Sequence, residues 1–365
     1  MTLRRSNLLG AAALAALAPG LLACSSETTP EAAARRARHP ESRNPEDRPS
    51  LMRELVGYAA LAPSSHNSQC WKFRLLDRAL RIEADLTRRC PVVDPDDHHL
   101  FVSLGCATEN LVQAAWASGW KAEARFDGTG DGAVAVGLER VRARLTPLFH
   151  AIAERQCTRS DYDGQPVSAE ELRLLELAGS GPGVRTLLIT ERNSMERVLQ
   201  YVTAGNSIQL TDPAYLEELT AWMRFGDHEA VSTGDGLFVA TSGKPTMPRW
   251  LGRRAMDLFY TPRSENDRAA REIRSSAGIA VVVSDVDDKA HWIEAGRAYE
   301  RFALQATALG IRNAFVNPPV EVAALRPQFA SWLGVGPLRP DLVLRFGRGP
   351  AMPMSTRRPV QSVLV

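Results

Sequence analysis

Lysine is scarce in this chain, which has 44 lysine and arginine residues in total, only four of them lysine. A surplus of either charge is also absent, because 42 acidic residues leave a formal net charge of +2. A nucleic-acid-binding protein needs a strongly basic face, so this balance argues against that class. The composition excludes disorder, since 44% of the residues are hydrophobic and 24% are charged. The 365 residues can bury a sizeable core, in one large domain or more.

Several catalytic and metal-binding motifs are missing from the sequence. G-x-S-x-G, H-E-x-x-H, G-x-x-x-x-G-K-[ST] and G-x-G-x-x-G do not occur, which argues against the enzyme classes that depend on them. No two cysteines form C-x-x-C, so a zinc ribbon or a thioredoxin-like site has no support. Isolated buried thiols are the favoured interpretation, and a disulfide such as Cys70–Cys90 stays open. The five cysteines are Cys24, Cys70, Cys90, Cys106 and Cys157.

The first 24 residues have the features of an export signal. Arg4 and Arg5 precede an apolar run of 16 residues, Leu8–Ala23, which is short for a membrane span and typical of a signal peptide. The run ends in L-L-A-C, which resembles a bacterial lipobox, whose cysteine is lipidated. This resemblance predicts a protein of the cell envelope or periplasm, held at the membrane only by lipid on Cys24. The adjacent arginines resemble a twin-arginine signal, and an ordinary Sec signal is the alternative.

The segment 94–99, D-P-D-D-H-H, has two interpretations. Its carboxylates and imidazoles could bind a metal ion. Alternatively, Asp94 is a helix N-cap, followed by proline at the first helical position and by acids facing the helix dipole. Apolar residues at 100, 104, 107, 111 and 115 then follow at helical spacing. We therefore predict that a helix starts here and that there is no metal site.

An internal repeat relates two parts of the chain. A shift of 191 residues places 94–119 on 285–310 with nine identities in 26 positions and no gap, whereas ordinary residue usage gives about one or two. Gly105 falls on Gly296, and Glu109 falls on Glu300. Glycine and alanine on both helices allow two backbones to approach closely. We therefore predict an α+β chain, duplicated internally, that folds as a pseudo-dimer within one chain.

This repeat sets the predicted domain organisation. Residues 1–24 form the signal, and residues 25–50 form a flexible tether, because they have no aliphatic side chain larger than alanine. Residues 51–148 form the first half and residues 149–365 the second. Part of about 210–271 has no counterpart in the first half, and we predict that it closes over a ligand as a lid.

Two polar segments could bind a flat, phosphorylated ligand. Residues 64–69, S-S-H-N-S-Q, lie between a predicted helix (Leu51–Ala60) and a predicted strand (Trp71–Leu76), and they offer hydrogen-bond donors and acceptors. A polar turn is the alternative interpretation of this loop. In R-Q-C-T-R at 155–159, two arginines four residues apart share one face of a helical turn and could clamp a phosphate. A pair of solvated arginines is the alternative there.

These segments resemble motifs of the FMN-dependent nitroreductases. Residues 63–71, P-S-S-H-N-S-Q-C-W, are similar to the family loop P-S-S-x-N-x-Q-P-W, and residues 155–159 are similar to its R-x-S-x-R motif. N-P-P-V-E at 317–321 resembles the segment that passes the reactive edge of the flavin. R-R-P at 357–359 resembles the C-terminal basic clamp. The order of the motifs and the duplication resemble most the Acg-like branch of this superfamily, over about residues 51–365. Cys157 and Cys70 depart from the family pattern, replacing serine and proline.

The resemblance implies a nitroreductase-like fold with one composite FMN site per chain. The loop of the first half would bind the flavin ring and the ribityl chain, and the arginine motifs of the second half would hold the phosphate. No catalytic side chain is implied, because a flavin carries the redox chemistry itself. The implied FMN-binding residues are Ser64, Ser65, Asn67, Gln69, Arg155, Cys157, Arg159, Asn317, Pro319, Arg357 and Arg358.

The implied activity is hydride or electron transfer through FMN to a small acceptor of the nitroaromatic or quinone type, from a donor that the sequence does not identify. An alternative is an exported protein that sequesters flavin in an occluded site. A nitroreductase fold with a purely structural role is a third interpretation. The duplication implies that the pseudo-dimer acts as a monomer.

Overall fold

A computed structural model of the chain describes residues 29–39 and 48–365. The predicted export signal, including Cys24, lies outside the described residues. The helices are α1 Pro30–Arg38, α2 Arg48–Ala59, α3 His98–Ala117, α4 Pro147–Ala151, α5 Ala169–Ala178, α6 Arg192–Leu210, α7 Pro213–Trp222, α8 Asp227–Thr233, α9 Arg249–Phe259, α10 Pro262–Arg274, α11 Lys289–Ala308, α12 Pro318–Glu321 and α13 Arg326–Trp332. The strands are β1 Trp71–Leu75, β2 Ala79–Ala84, β3 Trp120–Asp127, β4 Ala133–Arg140, β5 Val184–Ile189, β6 Met223–Arg224, β7 Leu237–Phe238, β8 Gly278–Ser284, β9 Arg312–Phe315 and β10 Arg339–Gly347.

Two four-stranded antiparallel sheets share one topology. The first sheet has the order β1-β2-β4-β3, and the second has the order β5-β8-β10-β9. In each sheet the strands therefore lie first, second, fourth, third along the chain, with a 20-residue helix between the second and the third. The two helices, α3 and α11, begin and end 191 residues apart. The predictions of an α+β fold and of an internal duplication are thus confirmed.

The helices α3 and α11 form the centre of the molecule, and their backbones touch. A Cβ atom on Gly105 would overlap the carbonyl of Ile293, and a Cβ on Gly296 would overlap the carbonyl of Val102. Cys106 Sγ lies 3.3 Å from the carbonyl oxygen of Gly296. The largest cluster of buried hydrophobic residues includes side chains of both helices and of both sheets. The small residues of the repeat therefore serve the close approach that the sequence predicts.

The start of α3 differs from the prediction. The helix begins at His98, and its N-cap is Asp97, which has a φ of +59° and makes no side-chain cap bond. Asp94 was the wrong N-cap because the chain turns once more after it, yet its carboxylate still accepts the first-turn amides of His99 and Leu100, at 3.0 and 2.9 Å. In the second copy Asp288, the counterpart of Asp97, is a regular N-cap and accepts from the amide of His291 at 2.9 Å.

The prediction that residues 25–50 form a flexible tether is wrong for the residues of α1. Thr29 is the N-cap of this helix. The alanine-rich sequence favours a helix here even though the segment has no apolar face. Arg38 is buried at its end, where Nη1 donates to the carbonyls of Ala34 and Ser355, both at 3.0 Å. The helix α2 follows the predicted bounds closely. Among the described helices none is both long and apolar enough to cross a membrane.

The C-terminal segment after β10 crosses from the second half to the first. The amide of Phe73 in β1 donates to the Val363 carbonyl at 2.7 Å, and the amide of Val365 donates back to Phe73 at 3.0 Å. This parallel pairing carries the basic pair at 357–358 onto the first half. The four cysteines of the described part are unpaired thiols, three of them buried.

Candidate functional site

The polar loop at residues 64–69 has an uncommon backbone conformation. His66, Asn67 and Gln69 have φ values of +50, +52 and +52°, in the left-handed region that residues other than glycine rarely adopt. The amide of Gln69 donates to Ser64 Oγ at 2.8 Å, which closes the loop on itself. Each such residue costs about 1–3 kcal/mol and persists only where its surroundings hold it.

Two segments of the second half hold this loop in place. Asn67 Nδ2 donates to the carbonyl oxygens of Gly236 and Thr356, at 3.1 and 3.3 Å. Gln69 Nε2 donates to the carbonyl of Gly234 at 2.8 Å. The amide donors that were predicted to read a flavin ring are therefore bonded to the protein's own backbone. Ser64, Ser65 and His66 are the residues of the loop that stay partly accessible.

Arg155 and Arg357, both predicted phosphate ligands, bind the chain just after α2. Arg357 Nε donates to the Ala60 carbonyl at 3.0 Å. Both arginines donate from Nη2 to the Leu61 carbonyl, Arg357 at 2.9 Å and Arg155 at 3.1 Å. Carbonyl oxygens at the C-terminal end of a helix lack intrahelical partners and carry partial negative charge, which guanidinium groups neutralise. Arg358 completes the clamp, because its amide donates to the Gln69 side-chain carbonyl at 2.9 Å.

Positive charge accumulates behind this clamp. Burial and the charge of Arg155 lower the pKa of Arg38 to about 10. Burial, Arg38 and Arg155 also hold the pKa of Arg357 well below its usual value. Arg155 itself lies 3.2 Å from the buried carboxylate of Glu300. Burial opposes the charge of Arg155, but Glu300, Tyr299 and the thiols of Cys157 and Cys106 together raise its pKa. Three cations around one buried carboxylate make the surroundings attractive to an anion.

The prediction of a helical turn at 155–159, with both arginines on one face, is wrong. This segment is extended and runs beside β9, where Cys157 forms an isolated bridge with Asn313. Arg155 is buried in the interior, whereas Arg159 is partly exposed. Within the part of the chain that the structure describes, the Arg159 guanidinium has no hydrogen-bond or salt-bridge partner. The two arginines therefore have different environments: Arg155 is buried, and the guanidinium of Arg159 has free hydrogen-bond donors.

Three partly accessible side chains, His66 of the loop and two tyrosines of the 210–271 segment, have shifted pKa values. Burial and the charge of Arg159 lower the pKa of His66 to about 4. Burial raises the pKa of Tyr260 to about 12 and that of Tyr215 well above its usual value. All three side chains nevertheless keep part of their surface accessible. Arg159 is among the charges that lower the pKa of His66 and oppose the rise of that of Tyr260.

The end of the segment 317–321 lines a cavity. Glu321 and Tyr215 both border this cavity, which has a volume of about 150 Å³. Asn317 is buried, with Oδ1 accepting from the amide of Val343 at 2.9 Å and Nδ2 lying 3.4 Å from His99 Nε2. The other predicted residue, Pro319, is buried in α12. The side chain of Asn317 thus positions the backbone of this segment.

The sequence analysis missed a buried polar network between the halves. His98 Nε2 lies 2.8 Å from Asp341 Oδ1, and Ser284 Oγ donates to Asp341 Oδ2 at 2.5 Å. All three side chains are at most 2% exposed. Burial raises the pKa of Asp341 to about 7, against the pull of Ser284 and of Arg339. An aspartate inside the apolar run of β10 was the signal that could have revealed this network.

The comparisons with known proteins agree with the resemblance indicated by the sequence motifs. The Mycobacterium tuberculosis H37Rv protein "Putative NAD(P)H nitroreductase Rv3131" is 27% identical over 325 residues, which cover 86% of this chain and 90% of the relative. "Putative NAD(P)H nitroreductase acg" of the same strain is 23% identical over 327 residues, covering 86% and 95%. These similarities span nearly the whole folded chain and support a relation to the nitroreductase superfamily. No family model matches the chain.

Solved structures give a weaker similarity. The FMN-dependent nitroreductase NfnB from Mycobacterium smegmatis, in complex with NADPH, is 15% identical, with a TM-score of 0.38 over 56% of this chain and 87% of its own. A nitroreductase with bound FMN from Desulfitobacterium hafniense is 16% identical, with a TM-score of 0.38 over 59% and 95%.

Proposed function

We propose that this protein is an FMN-binding oxidoreductase of the nitroreductase type. One observation carries the proposal: a polar loop of the first half and basic residues of the second half meet, and Arg159 has no hydrogen-bond or salt-bridge partner in the described chain. The similarity to proteins named as putative NAD(P)H nitroreductases supports the same conclusion. The acceptor is a small nitroaromatic or quinone, and FMN supplies the hydride or electron transfer when bound.

The residues present fit the phosphate of FMN. Arg159 offers free guanidinium donors, and Ser64 and Ser65 offer hydroxyl groups on the same side of the loop. Arg155 Nη1 is buried and has no hydrogen-bond partner. Charge-assisted bonds from guanidinium to phosphate are among the strongest hydrogen bonds in proteins. Arg357 and Arg155 would contribute to phosphate binding mainly through the electrostatic field of their buried charges, because their other donors already bind the end of α2.

The segment around 210–271 is proposed as the lid of this site. Tyr215 and Tyr260 would cover the ligand, and Lys244 Nζ lies 4.8 Å from the ring centroid of Tyr260. The segment is tied to the loop through the carbonyls of residues 234 and 236. These contacts also favour the second candidate function, a protein that sequesters flavin behind the lid. Export, a lipid anchor on Cys24 and a monomeric pseudo-dimer belong to the same proposal.

The first experiment compares FMN retention in two arginine variants. Arg159→Ala removes the free cation of the proposed site, and the control Arg125→Ala removes one whose side chain is 83% exposed on β3. A charged hydrogen bond contributes about 1.5–3 kcal/mol, so Arg159→Ala is expected to weaken FMN binding about 10- to 150-fold. The control should bind as wild type does. Equal retention by both variants would reject the phosphate assignment.

A second measurement separates the two candidate functions. Purified protein loaded with FMN is mixed with NADPH or NADH, and the flavin absorbance is followed before and after a nitroaromatic acceptor is added. Bleaching by the donor and recovery with the acceptor support the oxidoreductase. Bound FMN that stays oxidised with both donors supports sequestration. A chain that binds no FMN at all refutes both functions.

A further inference from the structure

A cluster of metal-ligand type lies at the start of α3. Asp94, His98 and His99 each offer one ligand atom, and these atoms lie within 4.8 Å of one another. All three residues are buried, at 3%, 2% and 7% exposure. The rings of the two histidines meet edge to face, with centroids 4.7 Å apart.

His98 has the arrangement of a metal-binding histidine. Its Nε2 lies 2.8 Å from the carboxylate of Asp341, which is held in turn by Ser284. Metal-bound histidines almost always donate their second N–H to such a carboxylate, which fixes the tautomer and leaves the other nitrogen free to bind. The Nδ1 atom of His98 is buried and has no hydrogen-bond partner in the described chain. A buried nitrogen lone pair without a partner is costly, and a metal ion would satisfy it.

His99 and Asp94 have matching geometry. His99 Nδ1 lies 3.5 Å from Asp94 Oδ1, and two ligands bound at about 2.1 Å in a tetrahedral zinc site are about 3.4 Å apart. The Asp94 carboxylate cannot swing away freely, because it also accepts the amides of His99 and Leu100.

The charges around the cluster favour a cation. A carboxylate lies beside each histidine, since Asp341 Oδ1 is 2.8 Å from His98 Nε2 and Asp94 Oδ1 is 3.5 Å from His99 Nδ1. Arg339 is the nearby cation, but it also pairs with Asp287 at 2.6 Å. The N-terminal end of α3 carries the positive end of the helix dipole, which opposes a cation. The effect of this dipole falls off within one turn.

Against the prediction from the sequence, we propose that Asp94, His98 and His99 bind one divalent transition-metal ion, with Zn²⁺ the best match to two imidazoles and a carboxylate. The three ligands come from the first half, whereas Asp341, which holds His98 from behind, comes from the second. The ion therefore ties the start of α3 to the sheet of the second half. This site differs from the proposed flavin phosphate site and does not depend on it.

Zinc binding to the purified full-length protein tests the site. The protein is stripped with a chelator, kept free of flavin, and titrated with ZnCl₂ in competition with a chromophoric chelator. We expect one Zn²⁺ per chain in wild type. His99→Gln and Asp94→Asn should weaken binding at least about 100-fold, and Ser284→Ala, which only orients Asp341, about 10- to 100-fold.

His291→Gln is the matched control. His291 sits at the start of α11, where its Nδ1 lies 2.7 Å from Asp288 Oδ1 in an exposed pair without a third ligand. This variant should keep wild-type zinc affinity. Circular dichroism of each variant in chelator verifies folding, and Ser284→Ala keeps the test valid if a ligand variant unfolds. Zinc affinity that is equal in wild type, His99→Gln and Ser284→Ala, or wild type that binds no zinc, overturns the proposal.

Discussion

The contact between α3 and α11 gives a sharp stability prediction. At Gly105 the neighbouring atoms are rigid backbone, since a Cβ would overlap the Ile293 carbonyl and lie 3.0 Å from Gly296 Cα. Gly105→Ala gains about 1 kcal/mol of helix propensity, but forced overlap in a packed core costs about 3 kcal/mol or more when nothing flexible can yield. The net loss is therefore about 2 kcal/mol in the free energy of unfolding, and Tm falls about 4 °C in a chain of this size.

Gly57→Ala is the matched control for this prediction. Gly57 is also buried within a helix, α2, but its added Cβ would meet only Val360 Cγ2, at an ordinary 3.7 Å. The propensity gain is then unopposed, and Tm should rise by about 1–2 °C. Differential scanning calorimetry of both variants measures the contrast. If Gly105→Ala matched or exceeded Gly57→Ala in Tm, the central helices would not be in backbone contact.

Two further predictions concern the lid and its attachment. Burial opposes ionisation of Asp235, but Arg224, at 2.6 Å, and Arg88 outweigh burial and lower its pKa. Its stabilising contribution is thus complete at neutral pH and is lost as the pH falls below about 4. Asp235→Asn should cost about 1–3 kcal/mol in urea unfolding at pH 7, a difference that disappears in acid; a pH-independent difference would contradict the ion pairs. Tyr260→Ala should accelerate FMN dissociation into a trap without changing Tm, and an unchanged rate would show that the tyrosine does not cover the ligand.

The duplication was predictable because the repeated helices obey local rules. Helix start, apolar stripe and small residues all occur within one stretch of sequence, and the same spacing recurs 191 residues later. The topology of the sheets was not predictable in this way, since β9 has only four residues and pairs with β10 across a loop and two short helices. The N-cap was misplaced for a related reason. Either Asp94 or Asp97 satisfies the sequence rule, and only the turn between them decides.

The sequence predicts which residues of the two halves meet better than it predicts the contacts they make. The sequence places Asn67, Gln69 and Arg357 in one site, and the structure does bring them together. Their donors bind main-chain carbonyls that lie far away in sequence, which no local pattern encodes. The R-x-C-x-R motif likewise does not show which arginine turns inward; the carboxylate of Glu300 decides that.

The central helix pair also shows how two copies of one unit diverge. Gly105 and Gly296 face each other, so a larger side chain on either would disturb both helices. Further along the helix, Glu109 binds Arg297 and Arg301, whereas its counterpart Glu300 meets Arg155. In a homodimer every substitution appears twice and both ends of the interface change together. Fusion into one chain releases that constraint, so Glu109 at one end of the helix pair can bind two arginines of the partner helix while Glu300 at the other end binds an arginine from outside the pair.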